Sequence, residues 1–297
     1  MYHIPALLNE SIDGLAIKPD GTYIDVTFGG GGHSQAILNR LNKGQLIAFD
    51  RDEDALINAI KDERFTLIHA NYKHIISYMK FFNLFPVDGI LADLGVSSHQ
   101  FDTNTRGFSA RFPARLDARM SKTTEQTAWS VINYYEEGNL MKIFKEYGEL
   151  SDARRLAARI VIERNKKTID TTTELFEIIR TLAEWGKENK YIAQVMQALR
   201  IEVNNEINDL ADLLNHVPLI LKPNGRLVVI SYHSLEDRLV KNIMKTGNLE
   251  GAISKDFYGN VNNSFNVLSR KPVVPTENEL KLNGRARSAK LRIAEKI

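Results

Sequence analysis

The chain has 297 residues, 43% apolar and 26% charged with a formal net charge of +2, ordinary proportions for a globular protein with a full core. It has no cysteine, which excludes a disulfide framework, thiolate metal ligands and a cysteine nucleophile. No run approaches the roughly 18 apolar residues of a membrane span, and residues 1–13 lack the charged and apolar regions of a secretory leader, so a cytoplasmic protein is expected.

Residues 22–28, Thr-Tyr-Ile-Asp-Val-Thr-Phe, predict a strand from their β-branched and aromatic content. They run into four consecutive glycines, Gly29 to Gly32, and a helical pattern begins near His33 with Ala36, Ile37, Leu38 and Leu41. Strand, glycine turn and helix in that order let a backbone approach a nucleotide-like ligand closely. A nicotinamide fingerprint would read Gly-x-Gly-x-x-Gly with an acidic residue about 20 positions on. The pattern here is acidic-x-small-x-Gly-x-Gly: Asp25, Thr27, Gly29, Gly31. It resembles the first motif of Rossmann-like S-adenosylmethionine (SAM) methyltransferases, with Thr27 where glycine is usual. SAM carries no pyrophosphate, so such a loop would wrap its methionine and sulfonium portion. A second apolar strand, 45–49, ends in Asp50, placed to accept hydrogen bonds from both ribose hydroxyls.

A helix is expected over 53–61, a strand over 65–69, a helix over 75–82 and a strand over 89–93, an alternation that predicts a parallel sheet wound with helices. Residues 125–210 show only helical periodicity, in stretches 127–135, 140–147, 153–164, 173–185 and 192–214. Thr171 followed by Glu174 predicts a capping box. Strand signals resume at 226–230 after the turn Pro223-Asn224-Gly225, followed by a helix over 235–245 with Ser234 and Asp237 as its capping pair. Residues 246–284 read as irregular, and 289–294 as a last strand. The expected organisation is a discontinuous α/β domain, 1–105 plus 211–297, with an all-helical insertion over 106–210. Charge is concentrated: segments 103–122, 151–167 and 281–297 carry +4, +4 and +5, leaving −11 on the remainder. That distribution suggests a surface facing a polyanion.

Further strings go beyond generic folding: Asp93-Leu-Gly-Val-Ser-Ser98 with Gln100, Arg106-Gly-Phe-Ser109, Leu116-Asp-Ala-Arg-Met120, Gln197-Ala-Leu-Arg-Ile-Glu-Val-Asn204, Ile230-Ser-Tyr-His-Ser-Leu-Glu-Asp-Arg238 and Arg285-Ala-Arg-Ser-Ala-Lys-Leu-Arg292. With the glycine loop, they closely resemble the RsmH (MraW) family of bacterial enzymes, from His3-Ile-Pro-Ala-Leu-Leu8 to the final strand. The resemblance implies a Rossmann-like SAM-dependent methyltransferase sheet with an inserted helical domain, acting on N4 of a cytidine in the decoding region of 16S ribosomal RNA. It places SAM against Gly31, Gly32, His33, Asp50, Tyr72, Asp93 and Gln100. The chain departs from the family pattern at Ala118, at His99, at Glu149-Leu150-Ser151 and over 191–196.

Methyl transfer is an in-line displacement, so aligning nitrogen, methyl and sulfur is the main task. Asp93 is expected to fix the cofactor's charged end, with Ser97, Ser98 and His233 near the target base. A single-stranded RNA target would have its base turned out and its phosphates held by cations. The candidates are Arg106, Arg115, Arg119, Arg154, Arg155, Arg200, Arg285 and Arg287. No His-x-x-x-His or clustered carboxylate set is present in the sequence, so no metal requirement is expected. The expected partner is 16S ribosomal RNA in the small ribosomal subunit, with the protein a monomer or homodimer and no membrane involved. Alternatives are a nicotinamide dehydrogenase, a DNA amino-methyltransferase (whose Pro-Pro motif is missing), and a SAM- and RNA-binding ribosome assembly factor without essential turnover.

Overall fold

The computed structural model describes residues 5–109, 113–255, 258–259 and 262–297. Arg111 of the first basic segment, and His3 and Ile4 of the opening string, lie outside them. The chain forms two compact units, 1–95 with 207–297 and 96–206.

The first unit is built on seven strands: β1 (Thr22–Asp25), β2 (Gln45–Asp50), β3 (Phe65–His69), β4 (Val87–Asp93), β5 (Leu221–Ser231), β6 (Phe265–Val267) and β7 (Lys290–Lys296). Their order is β3-β2-β1-β4-β5-β7-β6, with β1 to β5 parallel and β7 antiparallel to both its neighbours. This is a mixed sheet of Rossmann-like topology. The chain steps outward from β1 to β3 and then returns past β1 to β4. Strand order therefore reverses between β1 and β4, and ligands of such sheets bind beyond the carboxyl ends at that reversal.

β4 is buried along all but its last residue, as expected of a parallel strand covered on both faces. Its side chains alternate between two cores: Ile90 and Ala92 join one, Leu91 the other. On the Leu91 side lie α1 (Leu8–Leu15) and α2 (Gly32–Leu38), contributing Ile12, Leu15, Ile37 and Leu38. On the Ile90 side lies α3 (Ile75–Phe82), through Ile75 and Met79. The helix expected over 53–61 is a short 3-10 turn, Glu53–Asn58.

The second unit consists of α4 (Ser98–Asp102), α5 (Ala128–Tyr134), α6 (Glu137–Glu146), α7 (Ala153–Arg164), α8 (Thr172–Arg180) and α9 (Glu188–Asn204) around their own apolar core. Thr171 and Glu174 form the expected capping box of α8. The unit begins at Val96, ahead of the boundary expected after 105, because Val96 and Phe101 pack on the helical core. Phe144 of α6 is fully buried there. Phe144→Ala is expected to destabilise this unit by about 3–5 kcal/mol. Peptide-resolved hydrogen exchange should show protection lost within 96–206; unchanged protection there would contradict this packing.

The stretch 192–214, read as one helix, is two. α9 ends at Asn205, which takes a left-handed φ of 52°, and α10 (Glu206–Ile220) starts afresh. Asn tolerates that conformation because its short polar side chain offsets the Cβ crowding. Leu210, Leu213, Leu214 and Val217 of α10 return to the sheet on the Ile90 side, as do Val240, Ile243 and Met244 of α11 (Ser234–Thr246). Pro223-Asn224-Gly225 sits within β5 as a bulge: Val87 pairs with Leu221 but Gly89 with Arg226. β6 and the short α12 (Glu277–Leu282) arise inside the segment expected to be irregular. Among the described residues, no helix is long and apolar enough to cross a membrane.

Candidate active site

β1 ends at Asp25, whose carboxylate is buried and accepts from Ser34 Oγ at 2.7 Å and from the Thr27 amide at 3.0 Å. These bonds tie the first turn of α2 back to the sheet across the glycines. Burial pushes the Asp25 carboxyl up, against the Ser34 bond, the neighbouring His33 and the Thr27 amide. Gly31 caps α2 at φ +77°, where a Cβ would also meet the Phe28 ring at 2.9 Å, and a Cβ on Gly32 would strike Pro5. A Cβ on Gly30 would meet nothing within 4 Å, so the loop keeps an open side. Asp50, at the end of β2, accepts from the Gly29 amide at 2.7 Å and the Asp52 amide at 2.8 Å. Burial raises its pKa, and the two amides work against that rise.

Tyr72 opens a 3-10 turn after β3, and the Arg51 guanidinium lies 5.8 Å from its ring centroid. Asp209 of α10 joins the loops after β2 and β3: it accepts from Asn71 Nδ2 at 2.6 Å and Arg51 at 3.4 Å, with Lys73 Nζ at 3.8 Å. Sequence reasoning missed Asp209. Only its meeting with Arg51 and Asn71 in space identifies it.

Asp93 closes β4. Its amide donates to Thr27 Oγ1 at 2.7 Å, and its Oδ1 accepts from the Tyr232 hydroxyl at 2.8 Å. Its Oδ2 lies 3.7 Å from His33 Nδ1. His33 Nε2 is 3.2 Å from the Ala6 carbonyl, and burial lowers the ring's pKa. The ring is therefore neutral, its Nε2–H donates to Ala6, and the Nδ1 lone pair faces Asp93. The Asp93 side chain keeps 23% of its surface open, yet burial pushes its pKa up to about 7, helped by the Glu236 charge and opposed by the Tyr232 bond.

His233 is the N-cap of α11: its Nδ1 accepts from the Glu236 amide at 3.4 Å. Glu236 in turn accepts from the Tyr232 amide at 2.9 Å and the His233 amide at 3.4 Å. The capping pair is thus His233 with Glu236, one residue earlier than expected. Asp237 instead holds Arg292 of β7 through bonds of 2.7 and 3.1 Å.

Ser97, Ser98 and Gln100 belong to the helical unit. There Ser97 caps α4 in a reciprocal box with Gln100, at 3.0 and 3.2 Å. Several of the expected RNA-facing arginines are engaged within the protein. Buried Arg106 donates to the carbonyls of Arg119 and Met120 at 3.0 and 2.9 Å. Arg119 clasps Asp117 through two bonds of 2.8 Å, and Arg200 pairs with Glu206 at 2.9 Å. Asn204 completes this framework, accepting from the Met120 amide and donating to the Ala118 carbonyl, both at 2.7 Å. Arg154 and Arg287 are exposed, as is Arg115, with no side-chain partner among the described residues. Arg155, also exposed, holds Asp152 at 2.9 Å, and Arg285 is half-buried.

The MraW methylase family profile matches residues 1–297. The chain belongs to that family. It is 55% identical over 297 residues to a protein of Flavobacterium johnsoniae named ribosomal RNA small subunit methyltransferase H, covering 100% of this chain and 98% of that one. It is 53% identical over 296 residues to a protein of the same name from Bacteroides thetaiotaomicron, covering 99% and 97%. The family is SAM-dependent, and the donor set at these strand ends suits that cofactor. A glycine loop with an open side, a carboxylate at the end of β2 for hydroxyls and an ionisable carboxylate at the end of β4 for a cation match SAM's chemistry.

Proposed function

We propose that the protein transfers a methyl group from SAM to N4 of a cytidine in the decoding region of 16S ribosomal RNA. The observation that carries this reading is the convergence of the glycine loop, Asp50 and Asp93 on the carboxyl ends of β1, β2 and β4, in a chain of this family. SAM, when bound, supplies an electrophilic methyl on a sulfonium. Gly32 and His33 offer backbone N–H groups to its methionine end at the start of α2, while Gly31, whose own N–H bonds the Phe28 carbonyl at 2.8 Å, shapes the turn beside it. Asp50 accepts from the ribose hydroxyls, Tyr72 covers the adenine, and Asp93 neutralises the cationic amine; the family resemblance adds Gln100 to the cofactor residues. Ser97, Ser98 and His233 are assigned to handling of the target base on the family resemblance alone. His233 and Ser97 serve as the caps that fix their turns, since their side chains are already used in capping.

The amine of cytosine loses its proton late, so alignment matters more than a strong base. The helical unit is the RNA-recognition domain in this reading, and exposed Arg115, Arg154, Arg155 and Arg287, with Arg285, supply the phosphate contacts. Arg106 and Arg119 act indirectly, by stiffening the loop around Met120, and Arg200 by its pair with Glu206 beyond the end of α9. The natural partner is the small ribosomal subunit, and the compartment the cytoplasm.

Purified protein, SAM and small subunits lacking the modification should yield N4-methylcytidine on digestion and mass spectrometry. Absence of the product on subunits, assembly intermediates and naked RNA, with SAM binding intact, would overturn the enzymatic reading in favour of an assembly factor.

A further inference from the structure

Asp93 has few partners on its carboxylate, and they are unequal. Oδ1 receives the Tyr232 hydroxyl at 2.8 Å, whereas Oδ2 has no hydrogen-bond partner among the described residues. His33, on α2, turns a lone pair toward Oδ2 from 3.7 Å, which offers no proton. Asp25 on β1 and Glu236 on α11 add negative charge nearby, and the Thr27 hydroxyl is used by the Asp93 amide. Tyr232 is thus the one side chain among the described residues that donates to this carboxylate. It is itself well fixed: its amide is held by Glu236 at 2.9 Å, and its ring packs on the apolar core shared with α1 and α2. Burial, Asp93 and Glu236 hold the phenol well above its usual pKa, so it remains a neutral donor wherever Asp93 titrates.

We propose that Tyr232 is a positioning residue for methyl transfer: its hydroxyl pins Oδ1 of Asp93, fixes the rotation of the carboxylate and leaves Oδ2 to take the cationic amine of the cofactor. The inference rests on Asp93 holding that amine. A donor to the carboxylate favours its ionised form, so Tyr232 also sets the pH at which the site becomes competent. Glu279 of α12 bears on Tyr232 as a further negative charge and adds no proton to Asp93.

The decisive experiment follows the Asp93 carboxyl carbon by NMR in the SAM-free protein, with Asp93→Asn assigning the signal, beside kcat/KM for SAM against pH. Tyr232→Phe should move the Asp93 titration up by about one pH unit, as loss of one hydrogen bond to a carboxylate requires. It should lower kcat/KM about fivefold near pH 7, with recovery at higher pH and a smaller change in kcat at saturating SAM. A ring-fluorinated tyrosine placed at 232 is a stronger donor of the same shape and should move the titration down, a readout that survives if the phenylalanine variant does not fold. Unchanged titration in both variants would overturn the role of Tyr232 while leaving that of Asp93. Full kcat/KM in Asp93→Asn would overturn the reading of Asp93 itself.

Discussion

Asp93→Asn is expected to cut methyl transfer by about 10²–10³-fold and, in the same protein, to stabilise the fold above pH 7. The loss follows from replacing a carboxylate that faces a cation by a neutral amide, which forfeits a charge-assisted contact of about 3–4 kcal/mol. The gain follows from the pKa of Asp93, which the fold raises from 3.8 to about 7. Below about pH 4 the folded and unfolded chains both carry the proton, and there is no penalty. Between there and pH 7 the unfolded chain releases it while the folded chain does not, so stability falls as pH rises. Above pH 7 the penalty is constant, at a few kcal/mol, since solvent reaches part of the side chain. Asparagine has no such titration. Its melting temperature should exceed that of the wild type at pH 8, and the difference should shrink toward pH 4. Equal melting curves at pH 8 would mean that Asp93 ionises freely, and the electrostatic account of the site would fail. The pairing of lost activity with gained stability separates a functional carboxylate from a structural one.

The sheet was legible because strand identity follows from local chemistry. Runs such as Leu46-Ile-Ala-Phe49 and Ile90-Leu-Ala92 have no stable alternative to burial between two layers of helices. The glycine loop and the carboxylates at strand ends were legible for the same reason, since a turn that needs φ > 0 limits its residues sharply. What stayed hidden depends on meetings in space. Tyr232 lies 139 positions from Asp93, and Asp209 lies 138 from Asn71, so no local pattern links either pair. The cap of α11 was misplaced by one residue because Ser234 and Asp237 have the better capping propensity. Tertiary contacts decided otherwise: Asp237 is drawn to Arg292, which leaves Glu236 to receive the amides of Tyr232 and His233. Charge counting also over-reached. It treated Arg106 and Arg119 as surface cations, whereas buried carbonyls and Asp117 take up their donors.

Asp50→Ala should weaken SAM binding by about 100-fold or more and also lower the melting temperature. Two effects combine. The carboxylate is the acceptor proposed for the ribose, and hydrogen bonds to a charged group contribute about 1.5–3 kcal/mol. It is also the acceptor for the amides of Gly29 and Asp52, so alanine leaves both N–H groups without their partner and releases the glycine loop from β2. Asn58, which donates to the Gly29 carbonyl at 3.2 Å, then still holds that glycine by a side chain. Asp50→Asn separates the two effects, because one amide oxygen can still accept from Gly29 while the charge is gone; its affinity should fall between those of the wild type and alanine. Burial raises the pKa of Asp50, so wild-type affinity should decline as pH falls through it, and the asparagine variant should lack that limb. Calorimetric titration with SAM across pH reads all three proteins directly. Affinity within a few-fold of wild type in the alanine variant would reduce Asp50 to a loop tie and move ribose recognition to another group at the ends of β2 and β3. The loss of affinity without the change in pH dependence would assign the whole effect to the loop.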